Sequence, residues 1–199
     1  HIFEFCSGPG FIGFSLLANC LCKKLTLADI NPKAIEVCKE TIKNNNLESK
    51  VVVYLSDCLD DIPETEKWDL VVGNPPHWFC ADENQYKQDI RSFDPDFRIH
   101  RKFYQNIKKF LKPGGSVLLQ ENGIATNVED FREMIENNGL KIIQIFQYSA
   151  SNSELSTPNA AVNHEVFNPI EFFRYLRSKF RNKNRKTKYF YFIWCKLHG

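Results

Sequence analysis

Long apolar runs are missing from this chain. None approaches the roughly 18 consecutive residues that a membrane-crossing helix needs, which argues against a helical span and leaves no membrane among the expected partners. No secretory signal is visible in these residues, and any targeting information is expected in an upstream part. The seven cysteines, at positions 6, 20, 22, 38, 58, 80 and 195, are odd in number and lack disulfide spacing. Cys20 and Cys22 have no second pair and no nearby His, which argues against zinc, and no metal is expected. Reduced, buried thiols in a cytoplasmic protein are the plain expectation. Internal repeats are absent. So is an initiating Met: His1 falls inside what reads as a strand, so an upstream, substrate-selecting part is expected.

What is present is a globular composition, 43% hydrophobic and 25% charged over 199 residues, enough for a single domain over 1–199 with a substantial core. The net charge of +2 hides an asymmetry. Residues 1–170 hold 17 Lys/Arg against 23 Asp/Glu, while residues 171–199 hold 9 against 1. The basic excess lies in 174–188 and is densest from Lys179 to Lys188. It has two readings, a track for a phosphate backbone or a solvated loop between helix and strand.

Strand and helix alternate through most of the chain. Strands are predicted at 1–5, 24–28, 51–55, 68–72, 116–120 and 140–148, and helices at 11–21, 32–45, 99–111 and 128–137. Pro32 suits a first helical turn. Lys112-Pro113-Gly114-Gly115 breaks the third helix, and Asn138-Gly139 ends the fourth. The polar stretch 77–96 shows no clear period. Residues 149–188 read as an insertion, a Ser/Asn/Thr-rich loop followed by a helix at 169–180. A last strand at 189–197 is apolar on both faces, which places it inside the sheet. Alternation of this kind builds βαβ units on a parallel sheet, an α/β fold.

Two stretches carry chemistry. Glu4-Phe5-Cys6-Ser7-Gly8-Pro9-Gly10-Phe11-Ile12-Gly13 is a strand running into a glycine turn and then a helix, where backbone N–H groups can approach a ligand. Asn74-Pro75-Pro76-His77 follows the 68–72 strand and puts a side-chain amide and two rigid prolines at its C-terminal end. In open α/β sheets that edge binds ligands, so a cofactor turn and a polar clamp on it point to an enzyme. The glycine spacing also fits a dinucleotide, with Asp29 on a ribose hydroxyl. Glu4 shifts the balance, because a carboxylate there suits a cofactor carrying an ammonium group and would repel a pyrophosphate. Asp57, after the 51–55 strand, offers an acceptor to an exocyclic amino group such as that of adenine; the alternative is a helix or turn cap. His100 and Arg101 open the third helix, either facing a substrate cleft or exposed at the helix N-terminus.

In this order the motifs resemble a class I S-adenosylmethionine-dependent methyltransferase of the group with an N-P-P-aromatic motif. The chain is similar to the release-factor glutamine methyltransferases and to the "methyltransferase small" domains that modify rRNA and tRNA bases. The likeness runs through residue 148, and 189–197 matches that fold's last, antiparallel strand. It implies a Rossmann-like, doubly wound sheet of seven mostly parallel strands, with S-adenosyl-L-methionine as cofactor. By the resemblance, Glu4, Cys6 and the Gly8–Gly10 turn would hold the methionine part. Asp29, with Ile30 beside it, would hold the ribose, Asp57 and Cys58 the adenine, and Asn74 would border the cofactor. Cys6 stands where many members have glycine.

Asn74, Pro75, Pro76 and His77 would form the catalytic set. The Asn74 side-chain oxygen and the Pro75 carbonyl would accept the two N–H groups of a planar NH₂, in a glutamine or a base. The nitrogen can then pyramidalise as positive charge develops, with no nucleophilic side chain required. The family's fourth motif residue is usually Tyr or Phe, which stacks on the target. Here it is His77, followed by Trp78 and Phe79, and either His77 or Trp78 takes that place. The implied activity is N-methylation of a macromolecule: a protein glutamine first, an RNA or DNA base amino group second, the latter using 174–188. A catalytically inactive cofactor-binding subunit is the alternative that His77 raises. A nicotinamide-dependent oxidoreductase explains the glycines but neither Glu4 nor Asn-Pro-Pro.

Overall fold

The computed structural model describes residues 1–80, 83–149 and 189–198. Its strands are β1 (Ile2–Phe5), β2 (Leu25–Asp29), β3 (Val51–Leu55), β4 (Trp68–Gly73), β5 (Trp78–Cys80), β6 (Phe93–Pro95), β7 (Leu111–Asn122), β8 (Leu140–Ser149) and β9 (Tyr189–Leu197). The helices are α1 (Phe11–Ala18), α2 (Pro32–Asn44), α3 (Glu83–Gln88), α4 (Arg98–Ile107) and α5 (Glu129–Glu136). Seven strands form the main sheet in the order β3-β2-β1-β4-β7-β9-β8. β1 to β4 and β7 pair in parallel, and β9 runs antiparallel to both its neighbours. The interior place expected for 189–197 is the place it takes.

Side-chain alternation explains why helices cover both faces. On β1, Phe3 and Phe5 join one core with Phe103 and Tyr104 of α4 and Phe131 of α5. Ile2 faces the other core, with Leu16 of α1 and Cys38 and Ile42 of α2. Val117 and Leu119 of β7 join the first core, Leu118 the second, and Tyr191, Phe192 and Ile193 of β9 divide in the same way. A strand buried on both faces reads as a continuous apolar run, which is why β4, β7 and β9 stood out in the sequence. In α2, Asn31 caps the first turn by accepting from the Lys33 N–H at 3.1 Å, Pro32 opens the helix, and Ala34, Ile35, Cys38 and Ile42 make its buried stripe.

Three expectations need correction. The first helix ends at Ala18, not 21: the Cys20 N–H bonds to Leu17 O and the Leu21 N–H to Leu16 O, with Cys20 left-handed at φ 58°, a helix-ending double bond pattern usually built on glycine. The third helix stops at Ile107, a 3₁₀ turn covers Lys108–Phe110, and Leu111 already pairs with Trp68. The Pro-Gly-Gly breaker therefore lies within β7, as an irregularity: β7 advances from Leu111 to Ser116 while β4 advances from Trp68 to Leu70. The unpatterned stretch 77–96 also holds structure, a two-stranded parallel sheet of β5 and β6 with α3 between them. The insertion expected at 149–188, with its helix and basic run, lies almost wholly outside the described residues. Among the described residues no helix is long and apolar enough to cross a membrane.

Candidate functional site

Parallel pairing sends the C-terminal ends of β1, β2, β3 and β4 to one edge. Phe5 pairs with Ala28 on one side and with Gly73 on the other, so the turn after β1 lies between Asp29 and Asn74. The Ser56 N–H bonds to Asp29 O at 3.0 Å and brings the chain after β3, with Asp57 and Cys58, to the same edge. The candidate cofactor and catalytic residues thus follow or end one of these four strands, except Glu4, which lies inside β1; His100 and Arg101 lie in α4.

The turn itself is wound tightly. Cys6, Gly8 and Gly10 are all left-handed, at φ 50°, 52° and 79°. This explains why glycine suits position 6: the cysteine there adopts a backbone that a Cβ disfavours. Burial pushes the Cys6 thiol well above its ordinary range. A Cβ at Gly8 would meet nothing within 4 Å, so the backbone there is reachable from outside. Phe11, at the start of α1, is 61% exposed and Ile30 is 43% exposed, apolar surface left open on this edge.

Glu4 is buried and points at α1. Its carboxylate accepts the Gly13 N–H at 2.7 Å and the Ile12 N–H at 3.3 Å, two of the donors that a helix start leaves without intrahelical partners. Gly13 permits this approach, since a Cβ there would lie 2.8 Å from Glu4 Oε2 and 2.7 Å from a Leu25 methyl. Desolvation pushes the Glu4 carboxyl up to about 8, against the two N–H bonds that pull it down. Asp29 accepts the Gly8 N–H at 2.7 Å and the Asn31 N–H at 2.9 Å, joining the turn after β1 to the loop after β2. Asp57 meets Lys102 Nζ at 3.0 Å and Arg98 Nη1 at 3.2 Å. Burial raises its carboxyl, but these two cations outweigh burial and hold it below the ordinary value. Cys58 is buried and left-handed.

At the end of β4, Asn74 is exposed while Pro75 and Pro76 are buried. The His77 ring joins Asn74 to a buried chain that the sequence did not announce. His77 Nε2 lies 2.9 Å from Asn74 Oδ1, and His77 Nδ1 lies 3.3 Å from Glu121 Oε2. Glu121 Oε1 is 3.1 Å from His100 Nε2, and His100 Nδ1 is 2.6 Å from Asp94 Oδ2. Glu121, His100 and Asp94 are fully buried. His100 therefore neither faces a cleft nor lies exposed at a helix end. Burial would lower its pKa, but Glu121 and Asp94 outweigh burial and push it up to about 9. Burial would raise Glu121, and His100 and His77 outweigh that and hold it below the ordinary value. Asp94 also accepts the Ile99 and His100 N–H groups at 2.8 and 3.2 Å, capping α4 from β6. Arg101 turns away to Asp96.

Glu121 and Asp94 are the site residues that sequence reasoning missed. Glu121 had a signal: it shares parity with Val117 and Leu119 on β7, so an acid continues a core-facing row. Trp78 and Phe79, next to His77, are 42% and 50% exposed. The cysteines correct one expectation, since Cys20 is exposed and Cys6 and Cys22 are half-buried, while the other four are buried; all seven are free thiols.

Residues 1–144 match the family profile described as the methyltransferase small domain. The chain is 28% identical over 151 residues to a release factor glutamine methyltransferase of Clostridium acetobutylicum, covering 71% of this chain and 52% of that protein. It is 31% identical over 112 residues to one of Leptospira interrogans, covering 56% of this chain and 38% of that protein. The chain thus spans about half the length of such relatives or less. Among solved structures, an S-adenosylmethionine-dependent methyltransferase from Clostridium acetobutylicum superposes with a TM-score of 0.58 at 11% identity, over 100% of this chain and 84% of that one, a likeness of fold.

Proposed function

Because the chain belongs to the methyltransferase small domain family, we propose that it transfers a methyl group from S-adenosylmethionine to a planar nitrogen of a macromolecule, a protein glutamine in the first place. The observation that carries this reading is the adjacency of two strand ends. Phe5 pairs with Gly73, so the reachable glycine turn and the Asn74 amide stand side by side on the ligand-binding edge.

The residues on that edge suit such a cofactor. Glu4 sets a carboxyl under the turn that a bound cation would ionise, and a carboxylate has about four lone-pair positions, of which the helix amides use two. Asp29 is positioned for ribose hydroxyls with Ile30 as apolar cover, and Asp57 for the adenine amino group. When bound, S-adenosylmethionine supplies an electrophilic methyl group. Asn74 Oδ1 and the Pro75 carbonyl accept the two N–H groups of the target and stabilise the charge that develops on its nitrogen, while the buried proline pair keeps the acceptors apart. Likeness to release factor glutamine methyltransferases favours glutamine over a base. The basic run over 174–188 supports the second reading, an amino group of an RNA base.

The test is transfer of labelled methyl from S-adenosylmethionine into a cell extract separated into protein and RNA. Label in protein is expected, label in RNA alone would select the second reading, and label in neither would defeat both. Asn74→Ala is expected to keep cofactor affinity by calorimetry and to lower turnover by about 10²-fold, the scale of removing one hydrogen bond made in the transition state.

A further inference from the structure

Position 77 is tied on both sides, and the ties dictate where its protons lie. Glu121, held ionised by His100, presents an acceptor to His77 Nδ1 at 3.3 Å. A neutral His77 ring therefore carries its single proton on Nδ1 and leaves a lone pair on Nε2. That lone pair faces the Asn74 side-chain amide, whose polar atom sits 2.9 Å away. It calls for an N–H, so the amide gives Nδ2 to the ring and turns Oδ1 outward. A second proton on the ring reverses the amide: Nε2–H then binds Oδ1, the pairing this structure holds, and Nδ2 faces outward.

We propose that His77 is a positioning residue for Asn74, the imidazole deciding whether the amide offers its oxygen or its NH₂ to the target nitrogen. The inference rests on the methyl-transfer reading, in which an NH₂ target needs an acceptor at Asn74. With neutral His77 the amide oxygen is available to accept from the target. With the ring doubly protonated, a target donor meets an amide donor at Asn74, and only the Pro75 carbonyl is left to accept from the target. An aromatic ring at this position could stack, but it could not choose the end of the amide. Three charged groups stand in line with the ring: Glu121 from β7, His100 from α4 and Asp94 from β6. Tyr104 of α4 lies within electrostatic reach of Glu121, and Cys6 within reach of Asp94. Because His100 is pushed up to about 9, it holds Glu121 as an acceptor for the ring.

Isotope-edited NMR of the ring nitrogens and of the Asn74 side-chain amide, on the full chain between about pH 5 and 8, decides this without a substrate. The neutral His77 ring is expected to carry hydrogen on Nδ1, with the Asn74 amide signals moving in step with its ionisation. In Glu121→Gln the anion facing Nδ1 is gone, and the preference of the neutral ring for hydrogen on Nδ1 is expected to weaken. His77→Phe is expected to free the Asn74 signals, and turnover, from that ionisation. A neutral wild-type ring protonated on Nε2, or Asn74 signals indifferent to His77, overturns the inference even if the substituted proteins fail to fold. Signals that behave as stated in a protein that transfers no methyl group would uphold the amide orientation and defeat the proposed function instead.

Discussion

Glu4 binds helix amides, yet desolvation dominates its titration and pushes it up to about 8. Between its ordinary 4.5 and about 8, the folded protein holds a proton there that the unfolded chain has released, so stability falls as pH rises through that window. A cation set against the carboxyl favours its charged form. Binding of S-adenosylmethionine is therefore expected to expel a proton, and to tighten with pH until about pH 8. Calorimetry in buffers of differing ionisation enthalpy counts that proton, and Glu4→Gln should abolish it; an equal release from the variant would reject the linkage. Gly13 is the companion residue. An alanine methyl there would press on Glu4 Oε2 at 2.8 Å and on Leu25 and Leu27 at 2.7 and 2.9 Å. Gly13→Ala should cost about 1–3 kcal/mol by overpacking, read from denaturant unfolding.

Among the elements, β4 anchors one face of the sheet through Trp68. Its fully buried indole stacks on Phe3 at 4.0 Å and on Phe110 at 5.2 Å, and donates to Glu66 at 3.1 Å. Trp68→Ala should lose about 3–5 kcal/mol, measured by thermal or denaturant unfolding. The inner strands β1, β2, β4 and β7 were legible because burial on both faces leaves an apolar run, and β9 was legible as interior for the same reason. The strands β5 and β6 were not, because three-residue strands carry too little pattern and hold against each other, α3 and α4. The end of α1 was hidden because a cysteine occupies a left-handed position where glycine is the usual marker. At the site, the glycine turn, the acid ending β2 and Asn-Pro-Pro were readable as motifs. The chain from His77 to Asp94 was not, because its members come from four separate segments and only folding aligns them.

For the whole molecule, the partner is a question of charge. Residues 171–199 carry 9 Lys/Arg against 1 Asp/Glu. If RNA is bound, log affinity should fall steeply with log salt, and replacing Lys183, Arg185 and Lys186 by Gln should flatten the slope by about 0.7 to 0.9 for each phosphate no longer neutralised. Filter binding at several salt concentrations reads this, and a salt-independent result leaves protein as the substrate class. Sheet order carries a consequence of another kind. β9 lies between β7 and β8 but follows both in the chain. During synthesis those two earlier strands wait with unpaired N–H and C=O rows until residue 197 has left the ribosome. Completion of the sheet thus waits for β9, and a nascent chain stalled before residue 189 is a client for chaperones rather than a smaller working protein.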